Sequence, residues 1–317
     1  MRKSKPASQN RARRKSASSR LAPKVALLFE TPNAYSRGVL LGIGEYMAQH
    51  GPWRVHFAEH GAHDGPPRWL SDWDGDGIII RSENRRIARR VASLAVPVVD
   101  MTPSRLLPAA PWVKADDAAV AALAAQHFLE RDFQHFGFCG DARYRWSRSR
   151  HAQFAEILRQ HGRECHGYKP ARRPANGDAE ADAIALWLQA LPKPVAVFAC
   201  YDGRGQQVLD GCRRAGLRVP EEVAVLGVDN DDVLCSLSPP PLSSIVLNAR
   251  RAGSEAAALL ETMMRGEKTN AEEHLIPPLE VATRQIPTFW RRTIPRWRGR
   301  WATSASTRWK ASGSAMY

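Results

Sequence analysis

The side chains best suited to chemistry in this chain are polar and aromatic residues that directly follow short apolar runs. Arginine, aspartate and asparagine each present a planar pair of hydrogen-bonding atoms, which matches two adjacent hydroxyl groups. A tryptophan ring would cover the apolar C–H face of a sugar. These residues are Asn33, Tyr35, Ser36, Arg37, Arg81, Asp100, Arg145, Trp146, Arg150, Asp202, Arg204, Asp229 and Asn230. The pattern therefore favours a site for a sugar-like ligand.

The elements that would position these side chains alternate between strand and helix. Apolar runs separated by amphipathic stretches are typical of parallel sheets covered by helices on both faces. The predicted strands cover residues 25–29, 53–59, 77–82, 96–101, 135–140, 196–201 and 223–230. The predicted helices cover residues 35–50, 84–94, 116–131, 146–161 and 203–215. The polar residues would then share the carboxyl edge of a sheet, where ligands bind, although each one alone could simply cap a turn or a helix.

The charge of the chain is concentrated at its two ends. The net charge is +14, yet residues 1–24 contain nine basic residues and no acidic one, and residues 285–317 contain seven and none. The remaining 30 basic and 32 acidic residues leave residues 25–284 at −2. We therefore expect a disordered basic leader over residues 1–24, followed by a near-neutral globular body that is not itself a nucleic-acid-binding domain.

The cysteines and the apolar segments indicate the cellular compartment in which the protein is expected. The five cysteines are scattered without a C-x-x-C pair, which favours reduced thiols over a disulfide framework or a zinc site. No apolar stretch approaches the ~20 residues of a membrane span. The run at residues 25–29 is too short for a signal peptide. These features predict a cytoplasmic protein that does not contact a membrane.

Motifs for catalysis, cofactors and metals are missing from the sequence. There is no G-x-G-x-x-G after a strand, no G-x-x-x-x-G-K-[ST], no H-E-x-x-H and no G-x-S-x-G. The glycines of residues 38–44 lie inside a predicted helix, where they would allow close packing. His135 and His161 lack partners at metal-ligand spacing, and the acidic residues 229–232 lack the spacing of an EF-hand. We therefore predict no catalytic residue, no cofactor and no metal.

Several longer segments follow the order of a known family. They include LLFETPNAYSRGVLLGIGEYM at 27–47, KADDAAVAALAAQHFLERDFQHFGFCG at 114–140 and RWSRSR at 145–150. The pattern G-x-x-V-P-x-x-x-x-V-x-G-x-D-N spans Gly216–Asn230. Together these segments resemble the sugar-sensing domain of LacI-type repressors and, more narrowly, the xylose-operon regulators of the XylR type. The resemblance covers residues 25–284.

The resemblance implies a periplasmic-binding-protein-like α/β fold, in which two lobes joined by a hinge close on a monosaccharide. The N-terminal lobe is expected at residues 25–130 plus 247–268, and the C-terminal lobe at 131–246 plus 269–284. Arg81 departs from the family pattern, because it stands where the xylose regulators carry an acid. The residues carried over by position as sugar contacts are Arg37, Trp146, Arg150, Asp202, Arg204 and Asp229, together with Asn230.

The ends of the chain depart from the family's domain organisation. LacI-type repressors carry an N-terminal helix-turn-helix, which residues 1–24 cannot form, and the xylose regulators carry a C-terminal AraC-type DNA-binding domain. Residues 285–317 contain four tryptophans and no acid, which is unusual for a disordered tail. In a shifted reading frame, residues 293–307 can encode segments that resemble the start of an AraC-type domain. One hypothesis is therefore that this tail is an out-of-frame remnant of that domain; the alternative is a disordered basic tail.

The function implied by the resemblance is that of a cytoplasmic, sugar-responsive transcription regulator, present as its effector domain. Xylose or a related pentose is the expected effector, a homodimer the expected assembly, and specific contact with operator DNA is expected to be lost. Two alternatives from other classes are a sugar receptor of a transport system, which shares the fold, and a sugar-modifying enzyme on an α/β scaffold.

Overall fold

The computed structural model describes residues 22–31, 33–59, 64–169 and 177–285. Residues 1–21 of the predicted disordered leader and the tail from residue 286, with its frameshift hypothesis, lie outside these ranges. Lys24, which was expected at the end of the leader, instead begins the first strand. The described residues form two compact units. The first unit falls within Met1–Val120, Arg143–Trp146 and Leu247–Leu279, and the second within Ala121–Ala142, Ser147–Val246 and Glu280–Tyr317.

Strands and helices alternate through most of the described chain. The strands are β1 (Lys24–Phe29), β2 (Arg54–Glu59), β3 (Gly77–Arg81), β4 (Val98–Asp100), β5 (Trp112–Ala115), β6 (His135–Cys139), β7 (Cys165–Gly167), β8 (Val195–Ala199), β9 (Val223–Val228), β10 (Ser243–Val246), β11 (Glu273–Ile276) and β12 (Glu280–Ala282). The helices are α1 (Ala34–His50), α2 (Arg85–Ala92), α3 (Asp117–Leu129), α4 (Arg145–Gln160), α5 (Gly177–Ala190), α6 (Asp202–Ala215), α7 (Asp232–Leu237) and α8 (Ala249–Met264), with a short 3₁₀ helix at Arg68–Asp72.

The first unit contains a six-stranded sheet in the order β11-β5-β4-β3-β1-β2. All of its strand pairs are parallel. Alternate residues of β1 and β3, such as Leu28 and Ile80, pack against Ile87 and Val91 of α2. Helices α1 and α8 pack against each other, and α8 also contacts β3, β4 and β5. Because helices cover both faces, β1 and β3 are apolar at nearly every position.

Glycines set the close approach of α1 and α8. A Cβ atom at Gly42 would lie 2.0 Å from the carbonyl oxygen of Arg250, and one at Gly253 would lie 2.0 Å from that of Val39. A Cβ at Gly38 would also collide with Ala249, whereas one at Gly44 would meet nothing within 4 Å. The prediction that the glycines of residues 38–44 serve helix packing is therefore confirmed at two of the three positions.

The second unit contains another six-stranded sheet, in the order β12-β10-β9-β8-β6-β7. Its strands are parallel except for β12, which runs antiparallel to β10. Every residue of β8 and β9 is buried, and Val197 and Val225 pack with Ile184 of α5 and Val208 of α6. The α/β fold class predicted from the apolar runs is confirmed.

The two units divide the chain differently from the expected lobes at three places. Arg143–Trp146 were expected in the C-terminal lobe, but they belong to the first unit. Residues 269–284 were expected in the C-terminal lobe, but β11 pairs with β5 of the first sheet and only β12 joins the second. The side chain of Lys114 on β5 lies 3.3 Å from that of Glu273, an ion pair that accompanies this pairing. Helix α3, expected in the N-terminal lobe, belongs to the second unit from residue 121 onward.

The sequence predicts reduced cysteines and no membrane-spanning segment. All five cysteines are free, and four of them are buried. Within the described ranges, no helix has the length and apolarity that crossing a membrane requires.

Candidate ligand-binding site

Three predicted site residues meet at the carboxyl ends of neighbouring strands in the second unit. Asp202 is the first residue of α6, just after β8, while Asp229 and Asn230 directly follow β9. Strands β8 and β9 are paired in the sheet, and β10 lies on the other side of β9. This is the sheet edge at which ligands bind in parallel α/β folds. The structure therefore brings Asp202, Asp229 and Asn230 together, as their positions after strands predicted.

The carboxylate of Asp202 is held by the protein on both oxygens. Its Oδ2 accepts a hydrogen bond of 2.7 Å from the backbone N–H of Asp231, and its Oδ1 accepts one of 2.5 Å from the Ser244 hydroxyl. The residue is only 2% exposed. Gly227 makes room for it, since a Cβ there would lie 2.3 Å from Oδ1.

The pKa of Asp202 is raised to about 7, mainly because burial in the low-dielectric interior disfavours its negative charge. The negative charge of Asp229 contributes to the same rise. The hydrogen bonds from Ser244 and from the backbone of Asp231 act in the opposite direction, since they stabilise the ionised form.

Asp229 and Asn230 have an unusual backbone for residues that are not glycine. Their φ angles are 102° and 49°, both in the region that L-residues rarely adopt. The N–H of Asp229 donates to the carbonyl of Ile245 (3.1 Å), and the N–H of Asn230 donates to the Ser244 hydroxyl (3.0 Å). The side-chain oxygen of Asn230 is buried without a hydrogen-bond partner among the described residues. This oxygen therefore keeps its capacity to accept a hydrogen bond.

The two buried arginines of the second unit have protein partners. Arg150 donates to the carbonyl of Cys200 at 2.7 Å. Arg204 donates to Glu180 and to Gln207, both at 2.7 Å. Its guanidinium also lies 4.0 Å from the carboxylate of Asp141, which is itself buried. Arg204 therefore lies in a buried ion cluster with Asp141 and Glu180.

Several predicted residues of the first unit fall at the carboxyl ends of β1 and β3. The side chain of Asn33 caps α1 by accepting from the N–H of Ser36 (2.8 Å), which is the structural role that such a position commonly has. Arg37 is exposed, and it donates to the carbonyl of Thr31 at 3.3 Å. The guanidinium of Arg81 lies 5.2 Å from the centre of the Tyr35 ring, within the range of a cation–π contact.

Asp100 and Trp146, two more of the predicted residues, each contact neighbouring groups of the protein. Asp100 is fully buried and closes its own loop, because its two oxygens accept from the N–H groups of Thr102 and Leu107 at 2.7 and 3.0 Å. Trp146 stacks on Tyr144, with ring centres 5.3 Å apart, and the preceding Arg145 is exposed.

The sequence reasoning missed three residues of this region: Ser244, Glu180 and Asp141. Ser244 and Glu180 lie in segments that were given no element, whereas Asp141 directly follows the predicted strand at residues 135–140 and was not selected. A usable signal was Gly227, a glycine inside an otherwise apolar strand, since such a glycine often marks the close approach of another group. Within the described residues, no group of three or more His, Cys, Asp or Glu side chains is arranged to hold a metal ion.

Comparison with protein-family profiles gives two matches. The profile of the XylR N-terminal domain matches residues 24–117. The profile of the periplasmic binding protein-like domain matches residues 125–285, which is about half of the chain. The two matches follow one another along the chain.

Relatives and solved structures point the same way. The chain is 30% identical over 285 residues to the xylose operon regulatory protein of Escherichia coli K12, covering 86% of this chain and 71% of the relative. It is 27% identical to the protein of the same name from Haemophilus influenzae, with 86% and 72% covered. A solved structure described as the xylose-binding transcription activator XylR superposes with a TM-score of 0.74 at 28% identity, covering 84% of this chain and 69% of that one. The chain therefore belongs to the family of xylose operon regulatory proteins, and it is a sugar-sensing transcriptional regulator domain with a periplasmic-binding-protein-like fold.

Proposed function

We propose that this chain binds xylose or a related pentose at the carboxyl edge of the second unit's sheet and thereby regulates transcription. The observation that carries the proposal is the pair Asp229 and Asn230, which follow β9 in a strained backbone, with the buried Asn230 oxygen unpartnered among the described residues. The names of the relatives, which refer to xylose operons and to xylose binding, support the choice of sugar.

The chemistry of this pair suits a monosaccharide. A carboxylate accepts hydrogen bonds from two hydroxyl groups, while an amide both donates and accepts, so that the two residues together can bind neighbouring hydroxyls of one ring. Arg37 and Trp146 stay predictions as further contacts, and so do Arg150 and Arg204. For the two buried arginines, any contact with sugar would be made in addition to the protein hydrogen bonds described above.

We further propose that the chain binds its sugar without converting it. The relatives are transcription regulators. The hydrogen bonds of Asp202 and Ser244 to each other and to the N–H groups of residues 230 and 231 hold a loop suited to binding. A sugar receptor of a transport system has less support, because the relatives above are named as regulators of an operon. A homodimer and a cytoplasmic location belong to the same proposal. Operator DNA is a partner of the full-length family, and specific contact with it is expected to be lost in this chain.

The test is calorimetric titration of the full chain with xylose, ribose, arabinose and glucose. We expect saturable binding of xylose with a Kd between micromolar and millimolar, about −4 to −8 kcal/mol, and its loss in Asp229→Ala. Asp232→Ala is the matched control, because the Asp232 side chain is 85% exposed and lies three residues further on. Binding of none of the four sugars would refute the proposal, and a changed sugar in the NMR spectrum after incubation would show an enzyme.

A further inference from the structure

We infer that Asp202 and Ser244 are positioning residues: they hold Asp229 and Asn230 in the backbone conformation that presents these two residues to the sugar. This inference rests on the proposed function and refines it, because Asp202 was expected to contact the sugar itself. Ser244, on β10, had no expected role.

A directed chain of hydrogen bonds links Asp202 and Ser244 to the backbone of Asn230 and Asp231. The N–H of Asn230 can only donate, so the Ser244 oxygen accepts it (3.0 Å). The single hydroxyl hydrogen of Ser244 is then available for Asp202 Oδ1 (2.5 Å), which as a carboxylate oxygen accepts. Asp202 Oδ2 accepts from the N–H of Asp231 (2.7 Å). Asp202 is thus bonded directly to the N–H of Asp231 and, through the Ser244 hydroxyl, to the N–H of Asn230.

These hydrogen bonds hold an unusual backbone conformation at Asp229 and Asn230. Two consecutive residues that are not glycine adopt φ angles of 102° and 49°. Such conformations persist only where the surrounding structure determines them, and they concentrate at functional sites. The N–H groups of residues 229, 230 and 231 all have acceptors, two of them supplied by Ser244 and Asp202. Removing these acceptors would let the segment relax toward ordinary backbone angles.

The two pairs of residues differ in their exposure. Asp202 is 2% exposed and Ser244 is fully buried, so that little of either surface is left for a sugar hydroxyl. Ser244 pairs in register with Gly227, and the Asp202 carboxylate occupies the space that a side chain at Gly227 would need. Asp229 and Asn230, in contrast, are only partly buried. Asp202 and Ser244 therefore support the loop, and Asp229 and Asn230 contact the sugar.

The experiment is xylose titration of the full chain and of four variants. Ser244→Ala removes both of the hydroxyl's bonds, and we expect at least a tenfold loss of xylose affinity. Ser243→Ala is the matched control: it also removes a buried hydroxyl from β10, but one that accepts from the N–H groups of Arg284 and Gln285. We expect its affinity to stay within about twofold of the wild type, even if its melting temperature falls equally.

Asp202 is tested by a conservative and a truncating variant. In Asp202→Asn the amide oxygen can still accept from the N–H of Asp231, and the amide nitrogen can donate to the Ser244 oxygen. We therefore expect Asn to restore most of the affinity that Asp202→Ala loses, whereas a direct sugar contact through the negative charge would be lost in both variants.

The outcomes separate the inference from the proposed function. No binding of any of the four sugars by the wild type would refute the function. If the wild type binds a sugar, then equal losses in Ser244→Ala and Ser243→Ala, unchanged affinity in Ser244→Ala, or equal losses in Asp202→Asn and Asp202→Ala would each overturn the positioning role. If Ser244→Ala does not fold, the two Asp202 variants still decide.

Discussion

At the scale of single residues, the two acidic side chains at the edge of the second sheet have different surroundings. Asp202 is enclosed and holds neighbouring N–H and O–H groups, whereas Asp229 is only partly buried and follows a strand in a strained backbone. An enclosed carboxylate costs stability when it ionises. In this protein the buried Asp202 carboxylate accepts hydrogen bonds that hold the loop at residues 229–231. Strained loops held in this way are common at binding sites.

The pH dependence of stability tests this view of Asp202. Its pKa is raised from 3.8 to about 7, so the folded state binds the proton more tightly than the unfolded state does. The stabilisation is therefore fully present below pH ~4 and is lost as the pH rises through about 7. We expect the free energy of unfolding of the wild type, relative to Asp202→Asn, to fall by about 2–3 kcal/mol between pH 5 and pH 8.

Urea denaturation at the two pH values measures this difference. The groups around Asp202 are Asp229, Asp231 and Cys235, with Arg284 near Cys235, and all of them remain in the variant. Subtracting the variant from the wild type therefore removes most of their contribution. A difference that does not change with pH would mean that Asp202 has an ordinary pKa.

At the scale of secondary-structure elements, the contact between α1 and α8 depends on small residues. Gly42 and Gly253 approach backbone carbonyl groups of the other helix, and a backbone atom cannot move aside as the end of a flexible side chain can. The shared surface of the two helices therefore limits which residues these positions accept, independently of helix propensity.

Alanine substitutions in α1 should separate packing from propensity. We expect Gly42→Ala to lower the free energy of unfolding by about 1–3 kcal/mol, because its methyl group would overlap the Arg250 carbonyl. Gly44→Ala, two residues further along the same helix, should raise it by about 0.5–1 kcal/mol, since nothing lies within 4 Å and alanine favours the helix. Equal effects of the two changes in a denaturation experiment would contradict this explanation.

At the scale of the whole molecule, sugar binding and folding are linked. A ligand that binds the folded chain alone stabilises it by about 2.7 kcal/mol at a concentration of 100 Kd. We expect xylose to raise the melting temperature of the full chain in a concentration-dependent way, and to leave that of Asp229→Ala unchanged. A shift of equal size in this variant, or with an osmolyte of the same concentration that is not a sugar ligand, would indicate a solvent effect instead.

Much of the architecture could be predicted from the sequence because it depends on patterns that are local. Buried parallel strands need uninterrupted apolar residues, so VALLF and VAVLGV were recognisable, and the helices between them carry their own periodicity. The strands of three or four residues, such as β7 and β12, have too few positions to show a pattern. The position of polar residues after strands likewise predicted that Asp202, Asp229 and Asn230 would meet.

The roles of those polar residues were decided by tertiary structure. Whether a carboxylate faces a ligand or a neighbouring N–H group depends on residues far away in sequence: Asp202 is bonded by Ser244, and Arg204 by Glu180. The sequence by itself determined the α/β class, the family and the sheet edge at which Asp202, Asp229 and Asn230 meet. Only the fold decided which of the residues at that edge are enclosed by the protein, because burial and hydrogen-bond partners arise when separate segments pack together.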